Sequence, residues 1–159
     1  MSARGALRRL AFVLLSVTIA AALTAREGTT EETDPAKRVL GLSYRGRHRA
    51  YPLEVFFPPR AVNDDIRQQE VVIFHDPARG ISSAFFRMVM GEAIEFSGSV
   101  DGTVADDLTT ITRWDLKSGK AVGGNLAGME LIPLPVVNIS LEEWLSRHPD
   151  TDIYLRDLP

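Results

Sequence analysis

Apolar and β-branched residues occur along this chain in short runs, and turn residues cut each run off before a helical period can build up. "RVLGLSYRGRHRAYPLEVFF" reads as a hairpin: Val39, Leu40, Leu42 and Tyr44 go out, Arg45-Gly46 turn, and the chain returns from Ala50 to Phe57. The prolines of "PPR" stop it, because proline cannot donate to a ladder. "AVNDDIRQQE" reads as a turn-rich connector, since Asn63, Asp64 and Asp65 suit turn positions. "VVIFH" and "ISSAFFRMVM" are strand-like in their β-branched and aromatic content. "EAIEFSGSV" alternates in part and is expected to run out into a "SGSVDG" loop. "LTTITRWDL" sets Thr109, Ile111 and Arg113 against Thr110, Thr112 and Trp114, as a strand would. "KSG" turns it around, and "GMELIPLP" is expected to be the last short strand.

One helix is signalled. In "NISLEEWLSRHPD", Ser140 is followed three residues later by Glu143, a capping box that satisfies backbone amides in both directions. Leu141, Trp144 and Leu145 share a face, and His148-Pro149 ends the segment. Many short strands with Gly/Pro turns and a single terminal helix predict a mainly antiparallel β (α+β) domain, barrel- or sandwich-like.

The first residues stand apart from this pattern. "MSARGALRRL" carries three arginines and no acid, and "LAFVLLSVTIAAALTA" follows with about 16 uncharged, mostly apolar residues. That is the layout of a signal peptide or an N-terminal membrane anchor over residues 1–25. The small-x-small sites are Ala22-Leu23-Thr24 and Ala20-Ala21-Ala22. "REGTTEETDPAK" is polar and reads as a flexible linker over 26–37, leaving one exported domain over 38–159. The expected location is the periplasm or the outer face of the cytoplasmic membrane, with membrane contact only through an uncleaved N-terminus.

Charge and composition then narrow the chemistry. Without the three leading arginines, 15 basic residues face 21 acidic ones, a net of −6, which disfavours nucleic acid and anionic lipid surfaces. No cysteine is present, so disulfides, thiolate nucleophiles, thioether haem attachment and thiolate zinc sites are excluded. No cofactor is expected.

The stretch "VVIFHDPARG" draws the eye to chemistry, because His75, Asp76 and Arg79 crowd the end of an apolar strand. An imidazole beside a carboxylate can ligate a metal or move a proton. Adjacent residues of an extended chain point to opposite faces, however, so a metal site would need partners from elsewhere, such as His48. The other reading is a strand end with an Asp-Pro turn. "VDGTVADD" lacks the spacing of a calcium loop and reads as turn chemistry on a solvated face. "GGNLAGMEL" returns to strand rather than opening a helix, so its glycines suggest close backbone packing instead of a phosphate loop. No Gly-x-Ser-x-Gly elbow occurs.

Taken in order, "AYPL", "VND", an apolar strand ending in Pro-x-x-Gly, "FSGSV", "LAGMELIPLP" and "W…HPDT" resemble the bacterial domain of unknown function 3179 family, from about Val39 to Leu155. The resemblance implies an exported or membrane-anchored protein without an established activity. Many relatives carry a Cys-Pro-x-Cys-Gly turn, which implies metal or redox chemistry; here Asp76 and Arg79 stand at its two cysteine positions. A His-Glu pair before the Val-Asn-Asp segment is replaced by "PPRA", and a later tryptophan-bearing stretch is shortened to "WDLKSGKAVGG". The framework residues Pro77, Gly80, Asn63, Asp64, Gly98 and Gly128 persist. Asp76 and Arg79 are expected to form an exposed ion pair that closes the turn.

The expectation is thus a non-enzymatic domain for binding or assembly, with a protein partner in the cell envelope. The candidate binding residues are His75, Asp76, Arg79, Asn63, Asp64 and Trp114. The alternative is a metal-binding or enzymatic domain using His75, Asp76 and His48. Protein recovered from the envelope should have lost the segment up to Ala22 or Thr24. Intact-mass measurement decides this, and a full-length mass would identify a retained anchor.

Overall fold

The backbone of this computed structural model is organised by two-residue hairpins. β1 (Arg38–Tyr44) turns through Arg45-Gly46 into β2 (Arg47–Pro52), with Tyr44 opposite Arg47. β3 (Ala61–Ile66) turns through Arg67-Gln68 into β4 (Gln69–Asp76). β5 (Ile81–Phe86) pairs with β4, and β6 (Met88–Val89) and β7 (Glu92–Ala93) form a small ribbon. β8 (Phe96–Asp101), β9 (Val104–Asp107), β10 (Thr112–Asp115) and β11 (Lys120–Gly124) make a second meander. β12 (Pro133–Leu134) and β13 (Val136–Ser140) lead into α1 (Leu141–Arg147), and β14 (Asp152–Ile153) ends the ordered pairing. The structure describes residues 37–155. The segments read as signal and linker lie outside the described residues, apart from Lys37.

Three four-stranded sheets result, ordered β13-β1-β2-β14, β12-β5-β4-β3 and β11-β10-β9-β8. All pairs are antiparallel except β14 with β2. The domain is therefore mainly β with one short C-terminal helix, as expected. Its ladders do not close into a barrel. Two gaps are bridged instead. Residues 128–131 bond to the backbone of Gly119 and Ala121 beside β11 before β12 joins β5, and an isolated bridge Arg60–Ser99 ties β3's end to β8.

The layering explains the composition of β4. Val72 and Phe74 face a core shared with Phe96, Trp114 and Leu116 of the β8–β11 side. Val71 and Ile73 face a second core with Leu40, Leu42, Tyr51 and Phe56. A strand buried on both faces needs a continuous apolar run rather than alternation, and "VVIF" supplies it. A third, smaller cluster of Val39, Ala50, Ile139 and Trp144 seats α1 on the far side of β1 and β2. Ser140 caps the helix by accepting from the Glu143 backbone amide, as its spacing predicts.

Several boundaries differ from expectation. The returning strand of the first hairpin stops at Pro52, and Leu53–Phe56 form a 3-10 turn that packs Val55 and Phe56 inward. "AVNDDI" is a strand, not a connector: Val62 and Ile66 are buried on the same face as Tyr51, which outweighs the poor strand propensity of Asn and Asp. The "SGSVDG" loop is mostly β8, and "TVADD" contains β9 with Asp107 buried, not a solvated face. The strand in "LTTITRWDL" is confined to Thr112–Asp115, because Asp107 folds Thr109 and Thr110 into a turn. β11, β13 and β14 have no counterpart in the expected elements, and the strand expected over "GMELIPLP" is confined to Pro133–Leu134.

Gly41 marks where helix and sheet approach most closely. A Cβ there would lie 2.3 Å from Cε3 of Trp144. Gly41→Ala should push the indole off the sheet and destabilise the domain by about 1–3 kcal/mol, an overpacking cost. Urea unfolding checks this, and an unchanged midpoint would show that α1 is not seated by this contact.

Candidate functional site

The end of β4 carries the residues that suggested chemistry. Because β4 alternates between two cores, His75 follows Val71 and Ile73 toward Phe56, whose ring it meets edge-on at 5.9 Å. Its Nδ1 lies 3.0 Å from Ser82 Oγ and 3.2 Å from the Ile81 carbonyl oxygen, while Nε2 is buried without a partner. Burial pushes the imidazole pKa below its ordinary value, with the nearby Arg38 charge adding to the effect against the Ile81 carbonyl and Asp76.

Asp76 emerges on the opposite face and is 0% exposed. Its Oδ2 takes the Arg79 guanidinium at 2.5 Å and Oδ1 accepts the Arg79 backbone amide at 3.2 Å. Gly80 donates to Pro77 O and sits at φ +64, a conformation that suits glycine. The bond from Arg79 holds the Asp76 carboxyl below the usual carboxylate range. The ion pair expected at this turn is present, but it is not exposed as expected. The carboxylate is wholly enclosed, since Asp76 faces the interior at the strand's last position, and only the arginine reaches water.

The remaining candidates are also held by internal contacts. Asn63 donates to Phe96 O at 2.8 Å and accepts from Phe96 N at 3.1 Å, so its amide acts as one more strand residue joining β3 to β8. Asp64 accepts from Tyr51 Oη at 2.9 Å, and Arg49 Nε lies 3.1 Å from the same oxygen. Burial raises the Asp64 pKa, and burial followed by the Asp64 charge raises that of Tyr51 well above its ordinary value. Trp114, expected beside a partner surface, is 0% exposed and donates its indole N–H to Asp107 Oδ2 at 2.7 Å. It cannot touch a partner, because Thr112 and Trp114 are the inward set of β10 and Arg113 the outward one.

His48 lies in a different cluster. Its Nδ1 is 2.7 Å from Ser43 Oγ, and its ring stacks on His148 with centroids 4.0 Å apart, both beside Trp144. Burial, then His48 and Arg147, pushes the His148 pKa down. Among the described residues no three His, Asp or Glu side chains are placed to hold one metal ion.

One concave feature was missed by sequence reasoning. A cleft of about 250 Å³ lies between Arg47–Arg49 on β2 and Asp65–Arg67 at the β3 tip, with Asp152 of β14 at its side. Two observations set it apart. Among the described residues Arg47 and Arg67 have no partner, whereas every other described arginine bonds a carboxylate, a carbonyl or side-chain oxygen, or a ring. The Arg67-Gln68 tip is also left-handed at both positions, φ +55 and +63, without glycine. The two-residue tips Arg45-Gly46, Met90-Gly91 and Gly102-Thr103 each contain one. A left-handed non-glycine residue costs roughly 1–2 kcal/mol, a strain that tends to collect at functional positions. The sequence signal was available in "YRGRHR", whose clustered charges sit at a hairpin tip.

A family model described as "Protein of unknown function (DUF3179)" matches residues 19–158, and the chain belongs to that family. No curated protein and no solved structure matches it. Among the described residues no helix is long and apolar enough to cross a membrane.

Both perturbed histidines favour the neutral ring in the folded state. Their contribution to stability is therefore complete above the unfolded value of about 6.5 and is lost as pH falls from there through the folded values. Thermal unfolding between pH 8 and pH 5 should show Tm falling below about pH 6.5. His75→Gln and His148→Asn should each flatten the decline, and an unchanged slope in both would place the acid sensitivity elsewhere.

Proposed function

We propose that this member of the DUF3179 family is an exported, non-enzymatic binding or assembly domain of the cell envelope, with its ligand surface at the cleft between the β1–β2 and β3–β4 tips. One observation carries this reading. Asp76, Asp64 and Asp107 are engaged in internal contacts, with Arg79, with Tyr51 and Arg49, and with Trp114, while Arg47 and Arg67, unpartnered among the described residues, line a cleft. A binding site needs accessible polar groups whose hydrogen bonds are free to be completed by a ligand. Catalysis needs a group poised beside a reacting atom, and a carboxylate sealed behind an arginine offers none. The basic leader followed by an apolar run supports export, and the net acidic domain disfavours nucleic acid.

A thermal-shift screen of the full-length chain in mild detergent, against envelope-derived small molecules and peptides, tests the proposal. A ligand should raise the Tm of the parent and not that of an Arg47→Ala/Arg67→Ala variant, and mass spectrometry should recover it unchanged after incubation. Conversion of the ligand would overturn the non-enzymatic reading. A shift retained in the double variant would overturn the cleft.

A further inference from the structure

We infer that this cleft takes a small zwitterion, a molecule carrying a carboxylate and an ammonium group, of amino-acid or short-peptide size. The inference rests on the binding reading above and supplies the ligand class for that site.

The cleft is lined by charge of both signs. Arg47 of β2 and Arg67 of the β3–β4 tip line it with no partner among the described residues, and Asp65 and Asp152 line it as well. Asp65 Oδ1 accepts only a long bond, 3.4 Å, from the Gln68 amide, and no hydrogen bond or ion pair engages the Asp152 side chain. No ion pair joins either arginine to either aspartate, although they share one cleft. Elsewhere exposed pairs do close, as Arg113 with Asp106 and Arg147 with Glu143. Arg49, the third arginine of the cleft, is held back by Asp64 and the Asp65 carbonyl and so gives the floor a fixed shape.

These charges select among ligands. A guanidinium presents a planar fork of donors that matches a carboxylate or a phosphate. Arginines alone would reward any oxyanion and a dianion most. Two carboxylates in the same space penalise a dianion and accept an ammonium, so the combination favours a ligand whose two opposite charges are separated by a few bonds. The volume of about 250 Å³ lies below the range of pockets that hold drug-sized molecules, which sets the scale to a residue or two. The left-handed Arg67-Gln68 tip fits the same purpose, since it fixes where Arg67 leaves the hairpin.

A matched set of probes tests the inference on the full-length chain by following amide shifts of residues 47–49 and 65–67 in NMR titrations. Alanylalanine should bind. Its N-acetylated form, which keeps only the carboxylate, and its amide, which keeps only the ammonium, should each bind about tenfold more weakly, as loss of one charge-assisted contact implies. Inorganic phosphate should also be weak. Arg47→Ala and Arg67→Ala should each weaken alanylalanine by a similar factor, and Asp152→Asn should narrow the gap between the dipeptide and its acetylated form. Equal binding of the dipeptide and the acetylated form, tighter binding of phosphate, or indifference to the arginine variants would overturn the zwitterion assignment. If the broader screen yields another cleft-dependent ligand while alanylalanine fails, the ligand class falls and the binding reading stands. If neither engages the cleft, both fall.

Discussion

The rest of the domain depends on the burial of β4 on both faces. Its run Val71–Phe74 divides between two cores, one shared with the β8–β11 sheet and one with β1 and β2. A strand in that position cannot alternate between apolar and polar residues, and it fixes the order of the layers on either side. It also decides the fate of the two residues that follow. His75 and Asp76 continue the alternation into opposite cores, so both become buried polar groups that need partners at once. Ser82 and the Ile81 carbonyl meet the histidine, and Arg79 meets the aspartate. What resembles a reactive cluster in the sequence is the consequence of a central strand ending with polar residues.

The same requirement explains why so many polar side chains of this domain join one sheet to another. Asn63 continues the ladder from β3 to β8 with both ends of its amide. Arg87, nearly buried, donates to Val71 O and Ile94 O and pairs with Glu70 and Glu95, joining β4 to the segment before β8. Asp107 collects two backbone amides, a threonine hydroxyl and the Trp114 indole. Each such group would leave a buried donor or acceptor unsatisfied if its partner were removed, a cost of about 1–3 kcal/mol. With no disulfide to link the layers, these contacts supply specific connections between ladders that do not close on themselves.

Local signals were legible where local chemistry decides structure. The Arg45-Gly46 turn and the Ser140 cap follow from neighbours in the chain. What could not be read depended on distant partners. "AVNDDI" looks like a connector until Tyr51, Arg49 and Phe96 are brought to Asp64 and Asn63. The two faces of "TITRWD" are equally plausible until Asp107 claims the indole of Trp114. β14 has only two paired residues, and its parallel partner lies a hundred residues earlier. Arg67-Gln68 lacks the glycine that announces a two-residue hairpin, so its turn stayed hidden.

The turn and the cleft illustrate opposite uses of arginine. Arg79 encloses a carboxylate where the resemblance to other family sequences places two cysteines, and the backbone of Pro77–Gly80 keeps the shape of a closed turn. An ion pair there can hold the loop, but it cannot exchange thiols or carry a soft metal. Arg47 and Arg67 close nothing. They line the cleft beside Asp65 and Asp152, with which they form no ion pair. A long charged side chain gains little from being held in one place at a surface, so two that share a cleft and ignore adjacent carboxylates are better explained by what they could receive than by what they support. The contacts that hold the layers and the accessible charge therefore separate. The residues that look reactive maintain the layers, and residues that look like ordinary surface charge line the accessible space.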